Sequence, residues 1–162
     1  MSKTIILIPS RLSATRLPNK PLLKINNFSI IQHVYKRAQE SGVGKVYVAT
    51  GDKEIAEEIS KINGDYILTK KYHKTGTDRI FEAYKKIKNE INCEYIINLQ
   101  GDEPFINPED ISKLNNKITK RKSEIGTLAT KIRKDQLKDN SVVKVITEYN
   151  IIQKKISKAK QF

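Results

Sequence analysis

Apolar positions along the chain alternate between two periods. TIILIP (Thr4–Pro9) is a continuous apolar run, the pattern of a strand covered on both faces. From Ile30 the spacing becomes helical: Ile30, Ile31, Val34, Tyr35 and Ala38 share one side, with Ser29 placed to cap the start and Gly42 to end the helix. His33 falls on the opposite, polar side and is expected to be a solvated surface histidine. KVYVAT predicts a second strand. DKEIAEEISKING predicts a helix with Ile55, Ala56, Ile59 and Ile62 in a stripe and Gly64 past its end. DYILT reads as a third strand, and the polar loop KKYHKTGT leads to a helix carrying Ile80, Ala83, Tyr84 and Ile87. EYIINL is the fourth strand. After it, Asn107, Pro108, Glu109 and Asp110 combine a capping side chain, a proline at the first helical position and acids at the positive end of the dipole. IGTLATKI and SVVKVIT read as two further strands.

Strands and helices that alternate over short connections predict an α/β fold, a doubly wound, Rossmann-like and mostly parallel sheet. No repeat, low-complexity tract or internal linker interrupts it. Such sheets bind ligands at the carboxyl ends of their strands. The loops after the first, third and fourth strands are the chemically dense ones.

Composition narrows the picture further. At 162 residues the chain suits one domain, which at that size needs no disulfide or metal staple. Cys93 is the only cysteine, so an internal disulfide and a cysteine-cluster metal site are excluded, and it is read as a small apolar filler. The start MSKTIILIPS has a strand pattern rather than that of a signal peptide, and no stretch approaches the roughly 20 apolar residues of a membrane span. A cytoplasmic location is expected. The net charge of +13 comes mainly from lysine spread over the whole chain, alongside heavy use of Ile and Asn. Without aromatics interleaved in a basic stripe, it does not indicate a nucleic-acid partner.

In the first loop, IPSRLSATRLPNKPL, Arg11, Arg16 and Lys20 lie five and four residues apart on a segment stiffened by Pro18 and Pro21. Two guanidinium forks and an ammonium on a rigid loop suit the charges of a triphosphate. In LQGDEP, Gln100 can read a base edge or ribose, and Gly101 lets the backbone approach a ligand. Asp102 is a hard oxygen ligand suited to Mg²⁺, and Glu103 a supporting or structural acid. HKTGTDR sets His73, Thr75, Thr77 and Arg79 around Gly76 near a helix start that favours anions. Other chemistries lack their residues: there is no Gly-x-x-x-x-Gly-Lys-Ser/Thr, no Gly-x-Gly-x-x-Gly after the first strand and no Gly-x-Ser-x-Gly. The two histidines stand forty residues apart and suit no zinc site.

Taken in order, IPSRLSATRLPNKPL, VATGDKEIA, HKTGTDRI and NLQGDEPFI resemble the cytidylyltransferases that activate the acid sugar 3-deoxy-manno-octulosonate (Kdo) as CMP-Kdo. The resemblance runs to about Ile146. It implies the nucleotide-diphospho-sugar transferase type of sheet, transfer of CMP from CTP to Kdo with release of pyrophosphate, Mg²⁺ as cofactor, and a place in lipopolysaccharide precursor synthesis. Arg11, Arg16 and Lys20 match the positions that hold the triphosphate and are the implied catalytic residues. Pro9, Ser10, Thr75, Gly76, Arg79, Gln100 and Gly101 match nucleotide-binding positions, Asp102 matches the Mg²⁺ ligand, and His73 receives no catalytic role. Ser13 and Ala14 stand in the reverse of the usual Ser-Thr order, and Asn19 stands where the family has glycine. Family members are longer, and their remaining part carries sugar-acid contacts, a second metal-binding aspartate and much of the dimer interface. The expectation is therefore a nucleotide-binding domain over residues 1–147, its sheet incomplete at the C-terminal side, and a divergent lysine-rich tail over 148–162. The alternatives are a non-catalytic remnant that at most binds CTP, an enzyme acting on another acid sugar, and a basic nucleic-acid-binding protein.

Overall fold

The computed structural model describes residues 3–13, 17–150 and 156–161. The chain divides into two compact units, residues 1–125 and 126–162. The first is built on a four-stranded parallel sheet: β1 (Thr4–Ser10), two short strands β2 (Lys24–Ile25) and β3 (Phe28–Ser29) outside it, β4 (Val46–Thr50), β5 (Tyr66–Leu68) and β6 (Tyr95–Asn98). The sheet order is β5-β4-β1-β6. The chain winds outward from β1 through β4 to β5, then crosses back to lay β6 against the other side of β1. The strand order therefore reverses at β1 and β6, where the parallel ladders pair Ile8 with Val48 and Ile6 with Ile97.

Alternate residues of β1 feed two separate cores. Ile6 and Ile8 pack with Ile31, Val34 and Tyr35 of α1 (Ile30–Glu40), Ile55 and Ile59 of α2 (Lys53–Ser60) and Ile111 of α4 (Pro108–Arg121). Ile5 and Leu7 pack on the opposite face with Ile80 and Ala83 of α3 (Gly76–Ile87). Half-buried Cys93 joins this second cluster as the expected apolar filler, and burial pushes its thiol up. Buried polar groups stitch the helices of the first face together. Gln32 accepts from the Ser29 amide at 3.0 Å and donates to the Glu58 carbonyl at 2.8 Å, joining α1 to α2. The Asp65 amide donates to the Tyr35 hydroxyl at 2.9 Å.

The helix-start signals are borne out at Asn107, whose side chain accepts from the Glu109 amide, with Pro108 in the first turn. Gly42 has the left-handed φ of 64° expected past α1. After α2 the left-handed residue is Asn63, one place before Gly64. Three expectations are corrected. IGTLATKI forms no strand, and of SVVKVIT only Ile146–Thr147 does (β7), pairing antiparallel with β8 (Ala159–Gln161) in the second unit. His33 is half-buried rather than solvated: its Nε2 lies 2.9 Å from the Ile25 carbonyl and its ring meets Phe28 edge-on at 5.8 Å. The β2–β3 hairpin, turning through left-handed Asn26, supplies both contacts.

The loop between β5 and α3 is held from α3. Arg79 is 2% exposed, and its guanidinium donates to Thr69 Oγ1, the Lys70 carbonyl and the Lys71 carbonyl at 2.6, 3.1 and 3.0 Å. On the loop's other side, a Cβ at Gly51 would lie 2.5 Å from Lys71 Cα, so only glycine admits this approach. One turn beyond Arg79, Glu82 accepts from the Lys70 amide, pairs with Lys86 and meets His73 Nε2 at 2.7 Å. Burial acts to raise the Glu82 carboxyl, but the bonds from Lys86, the Lys70 amide and His73 outweigh it and hold it below the ordinary range.

Arg79→Lys keeps the charge but cannot serve three acceptors from a planar fork. It should destabilise the protein by about 1–3 kcal/mol, read by denaturant unfolding. Because Glu82 has a lower value folded than unfolded, its contribution is present above the unfolded value of about 4.3 and is lost as pH falls through the folded value. Glu82→Gln should therefore flatten the acid limb of the stability–pH curve.

Candidate functional site

A cleft of about 280 Å³ opens at the carboxyl ends of β1 and β6, at the point where the strand order reverses. The sequence-predicted residues Pro9, Ser10, Arg11, Lys20, Thr75, Gly76, Arg79, Gln100, Gly101 and Asp102 all line it, with Pro21 and His73. Arg16 lies outside the described residues. Thr77 is in the first turn of α3 and is exposed. Glu103 is exposed, and its carbonyl accepts from the Ile106 amide, which gives it a place in the turn before α4.

Backbone geometry builds one wall from the loop after β1. Asn19 is left-handed, with φ of 57°, and opens a single 3₁₀ turn, Lys20–Leu22, that buries Pro21. Asparagine takes up the left-handed conformation that glycine would otherwise provide. Lys20 thereby faces the opposite wall, where its Nζ lies 2.8 Å from Asp102 Oδ2. The lysine side chain is 35% exposed and the carboxylate 55%, so the pair is worth at most about 1 kcal/mol and is open to exchange. Behind Asp102, a Cβ on Gly101 would come within 2.7 Å of the Pro9 carbonyl, so the two loops meet only because position 101 is glycine.

The third wall is the α3 N-terminus. Thr75 accepts from the Asp78 amide at 3.1 Å, while Asp78 accepts from the Thr75 amide and hydroxyl, a reciprocal cap. Beside it, His73 is not the free surface residue its polar loop suggests. Its side chain is 13% exposed, against Glu82. Arg79 lies at the floor with three donors already committed to the loop carbonyls and Thr69. Burial lowers the Arg79 pKa, with the Asp52 charge opposing that fall and the Arg11 charge adding to it. Ser10, 6% exposed, also lines the cleft, and its buried hydroxyl oxygen has no partner among the described residues. A buried hydroxyl in that state costs about 1–3 kcal/mol unless a ligand or water satisfies it.

Two polar residues that hold loops around the cleft, through the Lys70 and Leu12 amides, carry no role in the sequence reading. Glu82 looked like an ordinary exposed acid of an amphipathic helix, and Asp52 like the first residue of α2. The signal for Asp52 was present: an aspartate at a strand's carboxyl end, one residue after glycine, sits at the rim where ligands bind.

Among the described residues, no three His, Cys, Asp or Glu side chains gather into a cage for a metal ion. Asp102 alone, half-exposed and with no partner at Oδ1 among the described residues, fits a different mode, since Mg²⁺ commonly takes one or two carboxylates and fills its octahedron with phosphate oxygens and water. Among the described residues, no helix is long and apolar enough to cross a membrane.

Comparison with known proteins agrees with this geometry. The cytidylyltransferase family matches residues 5–161. The chain is 43% identical over 143 residues to 3-deoxy-manno-octulosonate cytidylyltransferase of Rickettsia rickettsii (strain Sheila Smith), covering 88% of this chain and 59% of that protein. It is 41% identical over 146 residues to the enzyme of the same name from Nitrobacter hamburgensis, covering 90% of this chain and 57% of that protein. A solved CMP:2-keto-3-deoxy-manno-octonic acid synthetase complexed with CTP superposes with a TM-score of 0.68 at 39% identity, covering 75% of this chain and 49% of that one. The chain thus spans somewhat under 60% of the length of the curated relatives it matches. A match extending from β1 to the last described residue, on a sheet whose cleft lies at its reversal point, establishes that the chain belongs to the cytidylyltransferase family.

Proposed function

We propose that the protein acts in cytidylyl transfer, binding CTP in the cleft at the ends of β1 and β6 for transfer of CMP to Kdo with release of pyrophosphate. The observation that carries this reading is the convergence of Lys20, Arg11, Gly101 and Asp102 on one cleft. The 3-deoxy-manno-octulosonate cytidylyltransferases of similar sequence support the choice of nucleotide and sugar.

Each residue has a role that follows from its chemistry. Arg11 and Lys20 neutralise triphosphate oxygens by charge-assisted hydrogen bonds, and Arg16 of the same loop adds a third cation. Gly101 leaves space for the nucleotide against the backbone, and Gln100 offers an amide to the base or ribose. Thr75 and Gly76 present the positive end of α3. Ser10 supplies a buried hydroxyl, and Pro9 shapes the floor by its packing against Gly76 and Gly101. Arg79 holds the loop that carries His73 and Thr75, and keeps two N–H groups to turn toward the nucleotide.

Asp102 would hold Mg²⁺. When bound, the metal supplies charge neutralisation on the phosphates and polarises the phosphoryl oxygen. In the transfer itself, the anomeric oxygen of the sugar bonds to the α-phosphorus as the bond to the β-phosphate bridge breaks. The hydroxyl proton passes to solvent and pyrophosphate departs. Such a step depends on positioning and charge neutralisation more than on a covalent protein intermediate.

The pairing of Lys20 with Asp102 gives this reading a definite sign. Lys20→Met should weaken CTP binding about tenfold in isothermal titration, the order expected for one lost charge-assisted bond. Asp102→Asn should abolish the Mg²⁺ enhancement of CTP binding while leaving metal-free binding equal or stronger, because Lys20 is released. Purified chain given CTP, Mg²⁺ and Kdo should release pyrophosphate at a rate set by the sugar concentration. CTP binding without pyrophosphate release would restrict the function to nucleotide binding, and absence of CTP binding would overturn the reading.

A further inference from the structure

Asp52 stands at the start of α2, where an aspartate ordinarily turns its carboxylate onto its own helix's amides. Here it makes no such bond. Its Oδ2 instead accepts from the Leu12 amide, 40 residues earlier in the chain, at 2.9 Å. The residue is 8% exposed, so the carboxylate is held in the rim of the sheet rather than in water. Its own amide is occupied separately, donating to Thr50 Oγ1 at 3.1 Å.

The recipient is the residue at which the first loop both opens and closes. The Leu12 carbonyl accepts from the Asn19 amide at 3.2 Å, so the chain leaving Leu12 returns to it seven residues later. The Leu12 side chain packs against the first core. Arg11 immediately precedes this closure and Lys20 immediately follows it, both in the cleft. Amide, carbonyl and side chain of Leu12 are thus all engaged, and the amide depends on a single carboxylate from another strand's loop. Asp52 also bears on the cations of the cleft, since its negative charge opposes the burial of the Arg79 guanidinium.

We propose that Asp52 is a positioning residue for the triphosphate-binding loop: by holding the Leu12 amide it sets where Arg11 and Lys20 present their charges. Its diversion from capping α2 is the structural sign of that use. A helix of eight residues gives up a stabilising cap, and the carboxylate is spent on a loop that bears ligand-facing cations. The inference rests on the proposed nucleotide site for its functional consequence and on the Asp52–Leu12 bond alone for its structural one.

The test has two arms so that these can fail separately. Amide hydrogen exchange on the unaltered chain reads the bond directly: the Leu12 amide should exchange far more slowly than a free loop amide. Free exchange at Leu12 would overturn the proposal without any variant. In the second arm, Asp52→Ala should weaken Mg²⁺–CTP binding about tenfold, as expected for loss of a charged hydrogen bond. Asp52→Asn, which keeps an oxygen acceptor for the Leu12 amide, should restore most of that loss. A purely structural role would lower the melting temperature of Asp52→Ala and leave its CTP affinity unchanged, which would overturn the proposal. Asp52→Asn as weak as Asp52→Ala would overturn it too. Should the unaltered chain bind no CTP, the nucleotide reading fails, and Leu12 protection lost in Asp52→Ala but kept in Asp52→Asn would still establish the tether.

Discussion

The first unit depends on β1 being buried from both sides. Thr4 to Ile8 are all buried, and the alternating side chains of a strand leave by opposite faces. Burying a large apolar side chain is worth about 1.5–3 kcal/mol, and this strand commits four in succession. A central strand so composed requires helices on both faces. With parallel neighbours, that means crossovers of opposite direction and hence a reversal in strand order. The cleft lies at that reversal, where the loops leaving β1 and β6 toward α1 and α4 on one face meet the start of α3, which packs on the other. The site is placed by hydrophobic burial in a strand that runs directly into the lining residues Pro9 and Ser10.

What burial places, a few close backbone approaches then fix. The loops after β1, β4, β5 and β6 converge at the rim. Gly51 admits the Lys70–Lys71 backbone, Gly101 admits the Pro9 carbonyl, and Asp52 reaches the Leu12 amide. These contacts are between backbones or between a short side chain and a backbone, and they carry little rotamer freedom to lose. The long side chains of Arg11 and Gln100 remain exposed at the edge of this framework, and that of Lys20 partly so. A rigid frame bearing long polar side chains suits recognition of a charged, flexible ligand, because the ordering cost falls on a few side chains instead of on the loops.

The elements that periodicity and capping chemistry define on their own were legible in the sequence. The stripe from Ile30 to Ala38, Pro108 behind Asn107 and the apolar run of β1 each state their structure within a dozen residues. The β2–β3 hairpin escaped because its strands are two residues long and its signal is only Asn26-Asn27, a pair that reads as loop. IGTLATKI has the residues of a strand, but a strand exists only where another strand meets it, and residues 125–132 have no ladder partner in the described structure. His33 looked solvated because a helical wheel shows only its own helix, and the hairpin covering that face lies elsewhere in the chain. The ten described residues brought to the cleft were legible mainly because they cluster in loops after strands. Asp52 and Glu82 were not, since each acts through a partner that local sequence does not reveal.

Burial also sorts the cations in a way that charge counting cannot. Arg79 and Lys20 both belong to segments rich in donors, and in the sequence they look equally suited to phosphate. Arg79 is enclosed and has spent three N–H groups on Thr69, Lys70 and Lys71, which makes it mainly a fastener of backbone. Lys20 has one exposed partner, Asp102, whose replacement by a phosphate oxygen exchanges one ion pair for another at small net cost. Arg79 could turn fully to a ligand only by stranding carbonyls it now satisfies, at about 1–3 kcal/mol for each one left buried. The cations free to move onto a triphosphate are therefore those on the stiff loop after β1. Stiffness there comes from Pro18, Pro21 and left-handed Asn19, so the loop holds its shape without drawing on the donors of Arg11 and Lys20.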